Sequence, residues 1–255
     1  MWLSADYALN DSTERSWGYS IFGRAVKQVQ DELGAAFVKN ITSAVNASFS
    51  HGLLMISSYS LDPDVLSQWR AYADDGRGFA IGFSESEMKM PAKRLRVLYD
   101  EAAQLKELSG NIRHTYEYEK SIGFKYDLQF HNHWFNIGAD LCAYKNPSFR
   151  EEREIRCVHG SGLVPHNKSL KIVPLGALDQ DGKRLSNPID VYFRIRNGVI
   201  IPYVVLDYSR QGENSPVKEV ILGPRNDNSE RNVEIFLNTV GLADIAVRRS
   251  SVPYR

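Results

Sequence analysis

Apolar and polar positions along the chain predict strands towards both ends and helices in the middle. Short apolar runs typical of buried strands occur at residues 53–61, 79–83 and 95–99. From about residue 101 to residue 144 apolar residues recur at helical spacing, with a break expected near Gly123. This order predicts a single α+β domain over residues 1–255, in which split antiparallel sheets flank a central helical block.

Local signals predict where several of these elements begin and turn. Asp11 with Glu14 three residues later is typical of a helix start; the helix is expected to run through Trp17, Ile21 and Val29, with more helical sequence to about Ala47. Asp62 followed by Pro63 predicts the capped start of a short second helix. Asn197-Gly198, between two apolar runs, predicts a tight β-hairpin.

Charge and cysteine content narrow the classes of function. The 255 residues include 31 basic and 31 acidic side chains, so no overall field attracts nucleic acid, although a local basic patch stays open. Two cysteines, Cys142 and Cys157, are too few for a disulfide framework and fit reduced core residues of a cytoplasmic protein. With no run of ~18 apolar residues and no signal peptide, we expect no membrane association.

A pair of histidines, His131 and His133, is the first candidate for a metal site. Residues two apart on a helix point about 200° away from each other, so these two could not bind one ion there. We therefore predict no metal centre.

Trp69, Arg70 and Tyr72 fall within one turn of the second predicted helix. Two interpretations stay open. In one, Trp69 and Tyr72 pack inward while Arg70 is solvated. In the other, the aromatic rings and the guanidinium bind a base or a phosphate.

Glu152, Glu154 and Arg156 alternate along the predicted strand "EREIRCV" and would share one of its faces. This face could simply be solvated. Alternatively, it lines a cleft in which paired carboxylates stabilise positive charge at the C1 atom of a sugar. Arg156 would then keep one glutamate ionised.

The chain resembles the bacterial domain-of-unknown-function family 2971. The segments that carry the resemblance are "LNDSTE", "SSYSLDPDVLSQWRAYADDGRGFAIGF", "YKNPSFREEREIR", "YFRIRNGVIIPYVVL", "VILGP" and "SSVPYR". They span almost the whole chain, and the spacing of Lys145, Phe149, Glu152, Glu154 and Arg156 is specific. The serine-bearing strand and the Glu-x-Glu strand are also similar, more weakly, to those of the ADP-ribosyltransferase superfamily.

The second resemblance implies an ADP-ribosyltransferase-like fold and a use for each candidate residue. Glu154 would hold the 2′-hydroxyl of the nicotinamide ribose, and Glu152 would orient an acceptor or water. The expected ligand-binding residues are Ser58, Ser60, Trp69, Arg70, Tyr72 and Arg156. NAD would be a substrate, and no tightly bound cofactor is expected.

Two classes of function follow. One is an ADP-ribosyltransferase or NAD glycohydrolase in a toxin or phage-defence setting, with a protein or nucleic-acid acceptor that the sequence does not name. The other is a non-catalytic module on the same scaffold that senses a ligand or binds a protein.

The start of the chain, Met1-Trp2-Leu3-Ser4, matches the second segment of the family. The resemblance therefore implies that the usual first strand and helix are absent. An exposed sheet edge would result, and we expect a homodimer or the chain's own termini to cover it.

Overall fold

The protein is described here by a computed structural model that covers residues 1–8, 14–88, 91–176, 186–207 and 215–254. The fold is mixed α/β and contains two sheets. The chain divides into two compact units. The first unit comprises residues 1–59 and 91–206, and the second comprises residues 60–90 and 207–255.

The predicted strands and helices follow one another in the expected order, but the strands at residues 2–5 and 169–173 were not predicted. The strands are β1 Trp2–Ala5, β2 Gly52–Ser60, β3 Phe79–Phe83, β4 Lys93–Arg96, β5 Glu154–His166, β6 Ser169–Val173, β7 Val191–Arg196, β8 Val199–Val205, β9 Val217–Leu222 and β10 Ala246–Arg249. The α-helices are α1 Glu14–Leu33, α2 Ala35–His51, α3 Leu66–Tyr72, α4 Glu101–Ser121, α5 Leu128–Asp140 and α6 Glu230–Thr239. None of the helices in the described ranges is both long and apolar enough to cross a bilayer.

The seven-stranded sheet belongs to the first unit and has the order β4-β5-β2-β1-β8-β7, with β6 paired to β5. The serine-bearing strand β2 is thus a direct neighbour of β5, the strand that begins at Glu154. β1 pairs antiparallel with β2 on one side and with β8 on the other. It is therefore an interior strand of this sheet.

The predicted hairpin is confirmed. Asn197 and Gly198 connect β7 to β8 with positive φ angles of 51° and 78°. Two left-handed residues give a turn whose twist matches that of the paired strands, which explains why this dipeptide is favoured there.

Helices α1, α2, α4 and α5 pack around a shared apolar core. Gly34 adopts a φ of 80° and separates α1 from α2, so the helical sequence predicted up to about Ala47 forms two helices. Gly123, with a φ of 75°, lies just beyond α4, which confirms the predicted break. The predicted cap at Asp11 lies outside the described residues. The core members with no exposed surface are Ile21, Ala25, Val29, Ile41, Val45, Leu108 and Ile112.

The second unit contains a three-stranded sheet of order β10-β9-β3. β3 is antiparallel to β9, but β10 is parallel to it, so the prediction of purely antiparallel sheets is wrong at this pair. α3 begins at Leu66 and not at Pro63. The reason is local, because the Ser60 hydroxyl accepts from the Asp62 amide at 3.0 Å and donates to the Asp62 carbonyl at 2.8 Å, which forms a turn there.

Candidate functional site

Four charged side chains meet inside the first unit, and we call them the charged cluster: Lys145, Glu152, Glu154 and Arg156. Arg156 is the most buried, with 2% of its side chain exposed, and Glu152 the least, with 14% exposed. Charged residues are rarely this buried unless they are paired. The cluster contains two cations and two carboxylates, so its formal charges balance.

The backbone brings Glu152 and Glu154 together by a turn. Glu152 ends a 3-10 helix, Pro147–Glu152, and β5 begins only at Glu154. Between them Arg153 adopts the left-handed conformation, with φ 45° and ψ 51°. The prediction that Glu152 shares a strand face with Glu154 and Arg156 is therefore wrong for Glu152, because alternation along a strand does not extend through a left-handed residue.

Both carboxylates nevertheless contact the same ammonium group. Lys145 Nζ lies 2.5 Å from Glu154 Oε1 and also donates to Glu152 Oε2. The other oxygen of Glu154 accepts from Arg156 Nε at 2.8 Å, and Arg156 Nη1 donates to the Cys142 carbonyl. Each oxygen of Glu154 is therefore paired with a different cation.

Neutral side chains hold the cluster in position. Gln104, which has no exposed surface, donates from Nε2 to the carbonyls of Leu98 at 2.6 Å and Lys145 at 2.9 Å. Trp17 Nε1 donates to the amide oxygen of Gln104 at 3.1 Å. The Tyr99 hydroxyl accepts the Glu154 amide N–H at 2.9 Å.

Sequence reasoning gave no role to Gln104, Tyr99 or Lys145. Lys145 belongs to the spaced motif of the resemblance, and that was the one available signal. Gln104 and Tyr99 had none, because their contacts with the cluster depend on the packing of α4 and of the segment after β4.

The two glutamates have pKa values displaced in opposite directions. Burial raises the pKa of Glu152, and its hydrogen bond with Glu154 raises it further, while Lys145 offsets part of this increase. Burial alone would raise the pKa of Glu154. The hydrogen bond with Glu152 and the charges of Arg156 and Lys145 outweigh burial and bring this pKa well below its usual range.

The two candidate serines on β2 lie outside the charged cluster. Ser58 is exposed, and so is Ser60. The Ser60 hydroxyl accepts from Gln68 Nε2 at 3.0 Å in addition to its contacts with Asp62. In this structure Ser60 thus stabilises the turn before α3, and a role in ligand binding stays a prediction for both serines.

Trp69, Arg70 and Tyr72 belong to α3 in the second unit. Trp69 is buried as the first interpretation predicts, but Tyr72 is exposed, so its predicted inward packing is wrong. The Arg70 guanidinium lies 5.3 Å from the centre of the Tyr254 ring. An aromatic ring beside a guanidinium is therefore present, although the ring comes from the C-terminal segment, and its ligand-binding role stays a prediction.

Asp64 is a further residue of the second unit that sequence reasoning did not single out. Its carboxylate accepts from Trp69 Nε1 at 2.7 Å, from Ser250 Oγ at 2.5 Å and from the Ser251 amide at 2.8 Å. Burial would raise its pKa, but these hydrogen bonds lower it. Asp64 thereby joins two segments that carry the family resemblance, "SLDPDVLSQW" and "SSVPYR". This contact is a structural reason for both segments to occur in the same sequence pattern.

The charged cluster has the elements of an acid–base site. Two carboxylates whose environments separate their pKa values can divide two tasks, one staying ionised and the other exchanging a proton near neutrality. Glu154 fits the first task, since two cations contact it. Glu152 fits the second, because its pKa is raised and it is the most exposed member of the cluster.

Comparisons with known proteins give one match. Residues 68–157 match the model of a family described as "Protein of unknown function (DUF2971)". No curated protein and no solved structure matches the chain. The matched segment is about a third of the chain, contains the whole charged cluster, and supports the resemblance of this protein to the family of unknown function.

Proposed function

We propose that the charged cluster cleaves the bond between nicotinamide and ribose in NAD, as an ADP-ribosyltransferase or NAD glycohydrolase does. The observation that carries the proposal is the opposite displacement of the pKa values of Glu152 and Glu154 around the shared Lys145 ammonium. The similarity of the Glu-x-Glu sequence to that of the ADP-ribosyltransferase superfamily suggests the substrate.

In the proposed reaction the C–N bond breaks and nicotinamide leaves as a neutral molecule with the bonding electron pair. Positive charge then develops at C1 of the ribose. The ionised Glu154, accepting a hydrogen bond from the 2′-hydroxyl, stabilises this charge more than it stabilises the bound substrate. A carboxylate offers about four lone-pair sites, so Glu154 can accept this bond while Lys145 and Arg156 stay in place.

Glu152 acts on the second reactant. Water or another acceptor donates an electron pair to C1 and loses a proton, which the ionised form of Glu152 receives. Because its pKa is raised, Glu152 is a stronger base than an ordinary carboxylate and exchanges protons closer to neutrality.

The test is release of nicotinamide from NAD, followed by chromatography, with the wild-type protein and the Glu154→Gln variant. We expect the substitution to lower the rate at least ~100-fold, the scale of losing one group that stabilises transition-state charge. Glu151→Gln is the matched control, since Glu151 is an exposed member of the same 3-10 helix, and we expect it to retain the wild-type rate.

A second variant separates loss of catalysis from loss of folding. Glu152→Gln leaves Glu154 paired with Lys145 and Arg156, so it should fold, and we expect a slower reaction with a changed pH profile. Circular dichroism checks the fold of each variant. Equal rates for the wild type, Glu154→Gln and Glu151→Gln would refute the proposed role of Glu154.

The alternative is a non-catalytic module that senses a ligand or binds a protein. The observation that favours it is the burial of Glu154, both of whose oxygens already have cationic partners. In this case the charged cluster fastens the segment before β5 to the sheet, and the wild-type protein releases no nicotinamide under any condition. A setting in toxin action or phage defence is compatible with either function.

A further inference from the structure

Three aromatic side chains lie together on one side of the strands β1, β8 and β7. The register pairs Tyr192 with Tyr203, and Tyr203 with Ser4, which is two residues from Trp2. The ring centres of Trp2 and Tyr203 are 4.9 Å apart, and those of Tyr192 and Tyr203 are 5.8 Å apart. We call Trp2, Tyr192 and Tyr203, together with Arg194, the aromatic face.

Arg194 is held among these rings. Its guanidinium carbon lies 5.2 Å from the centre of the Trp2 ring and 5.8 Å from that of Tyr203. Nη2 donates to the Ser4 hydroxyl at 2.8 Å. Nε is buried and has no hydrogen-bond partner among the described residues. Among the residues that the structure describes, no carboxylate forms an ion pair with this guanidinium.

Exposure and charge indicate what this face can bind. Trp2 and Tyr192 are 53% and 47% exposed, which is unusual for rings that could be buried in a core. Arg196 is exposed on the same side of β7, two residues beyond Arg194. The paired positions on this side of β7 and β8 carry no acidic side chain, so this part of the surface combines aromatic rings with two arginines.

We propose that the aromatic face binds single-stranded nucleic acid, with bases stacked on Trp2 and Tyr192 and the phosphate backbone beside Arg194 and Arg196. Exposed rings on a sheet, interspersed with arginine, bind single strands in this way, because every base offers a stacking face and every linkage a negative charge. A duplex would not expose its base faces to these rings. This proposal is independent of the charged cluster and of the reaction proposed for it.

The test is fluorescence anisotropy with labelled oligothymidylate and oligouridylate of about 12 nucleotides, within the ~4–16 nucleotides that single-strand-binding folds cover. We expect Trp2→Ala and Tyr192→Ala each to weaken binding about 5- to 150-fold, the effect of losing one base–aromatic stack. Arg194→Ala should weaken binding and reduce its dependence on salt. The DNA and RNA probes show which type of strand binds more tightly.

Phe193→Ala is the matched control. Phe193 is 61% exposed on the same strand, but it points to the opposite side of the sheet, so its loss should leave the affinity unchanged. Equal weakening by Phe193→Ala and Trp2→Ala, or no binding of either oligonucleotide by the wild-type protein, would overturn the proposal. Competition by adenosine monophosphate at the same concentration as the oligonucleotide would also overturn it, because the face would then bind a free nucleotide.

Discussion

Two arginines towards opposite edges of the seven-stranded sheet lie in different environments. Arg156, on β5, is almost completely buried and pairs with Glu154 and the Cys142 carbonyl. Arg194, on the edge strand β7, is half-buried between aromatic rings, and its guanidinium donates to the Ser4 hydroxyl. A fully buried guanidinium needs a carboxylate partner to offset the loss of water. Near the surface, aromatic faces and one neutral oxygen are sufficient to hold it.

The same difference separates the two proposed activities. At the β5 end, charges are already matched, so a ligand there would have to be recognised by the small number of positions that the cluster leaves open. At the β7 end, no carboxylate of the described residues pairs with Arg194, so an anionic ligand gains a direct electrostatic contact. Breaking each arrangement should therefore have different consequences for stability.

The largest expected effect is that of Arg156→Met. It leaves a carboxylate buried with one cation fewer, and breaking a buried ion pair costs about 3–5 kcal/mol of unfolding free energy. Urea denaturation measures it. Arg194→Met is the matched comparison, and we expect a loss of about 1 kcal/mol, since one hydrogen bond and a partly exposed cation–π contact are removed. Equal losses would show that the two ends do not differ in this respect.

A change of pH should alter the free energy of unfolding less than Arg156→Met does, because it leaves all four side chains of the charged cluster in place. The pKa of Glu154 is lowered in the folded protein, so its contribution to stability is present above the unfolded pKa of about 4.3 and is lost as pH falls through the folded value. The pKa of Glu152 is raised, so its contribution is present below about 4.3 and is lost as pH rises through the folded value.

Urea denaturation of the wild type and Glu152→Gln across this pH range checks the prediction for Glu152. The free energy of unfolding of the wild type, relative to that of the variant, should decrease as pH rises towards neutrality. An advantage that grows with pH would mean that the folded protein favours the ionised form of Glu152, contrary to the environment described above.

The smallest effect is expected at the open end of the sheet, from Ile195→Ala. Ile195 is 76% exposed on β7, so its truncation opens no cavity, and we expect a change within about 0.5 kcal/mol. Thermal unfolding followed by circular dichroism measures it. A loss of several kcal/mol in the isolated protein would indicate that this side chain is buried in solution, as the predicted homodimer could bring about.

Signals that act within a few residues predicted much of this fold. Asn197-Gly198 and the break near Gly123 were found because a turn or a helix end depends on the conformations that those residues adopt. Gly34, at which the first helical region divides into α1 and α2, offered the same kind of signal. The helix start predicted at Asp62 and Pro63 was wrong, because the Ser60 hydroxyl bonds with Asp62 and forms a turn where a helix cap was expected.

The candidate site was predictable in its residue types but not in its geometry. The spacing identified Glu152, Glu154 and Arg156 as a group, and the structure brings all three together. The positions of Gln104 and Tyr99 depend on contacts between segments far apart in the sequence, which periodicity does not reveal. The aromatic face was missed for the same reason, since Trp2 and Tyr192 become neighbours only through β8.

The left-handed conformation of Arg153 changes what the sequence Glu-x-Glu implies about structure. In a regular strand two glutamates separated by one residue stand about 6.6 Å apart along the chain and point the same way. Here a left-handed residue lets carboxylates from a helical turn and from a strand reach one ammonium group. The same Glu-x-Glu sequence can thus give two different arrangements of charged side chains. A search for relatives that share this chemistry should therefore weigh the backbone angles of the middle residue and the presence of an upstream lysine, as well as the two glutamates.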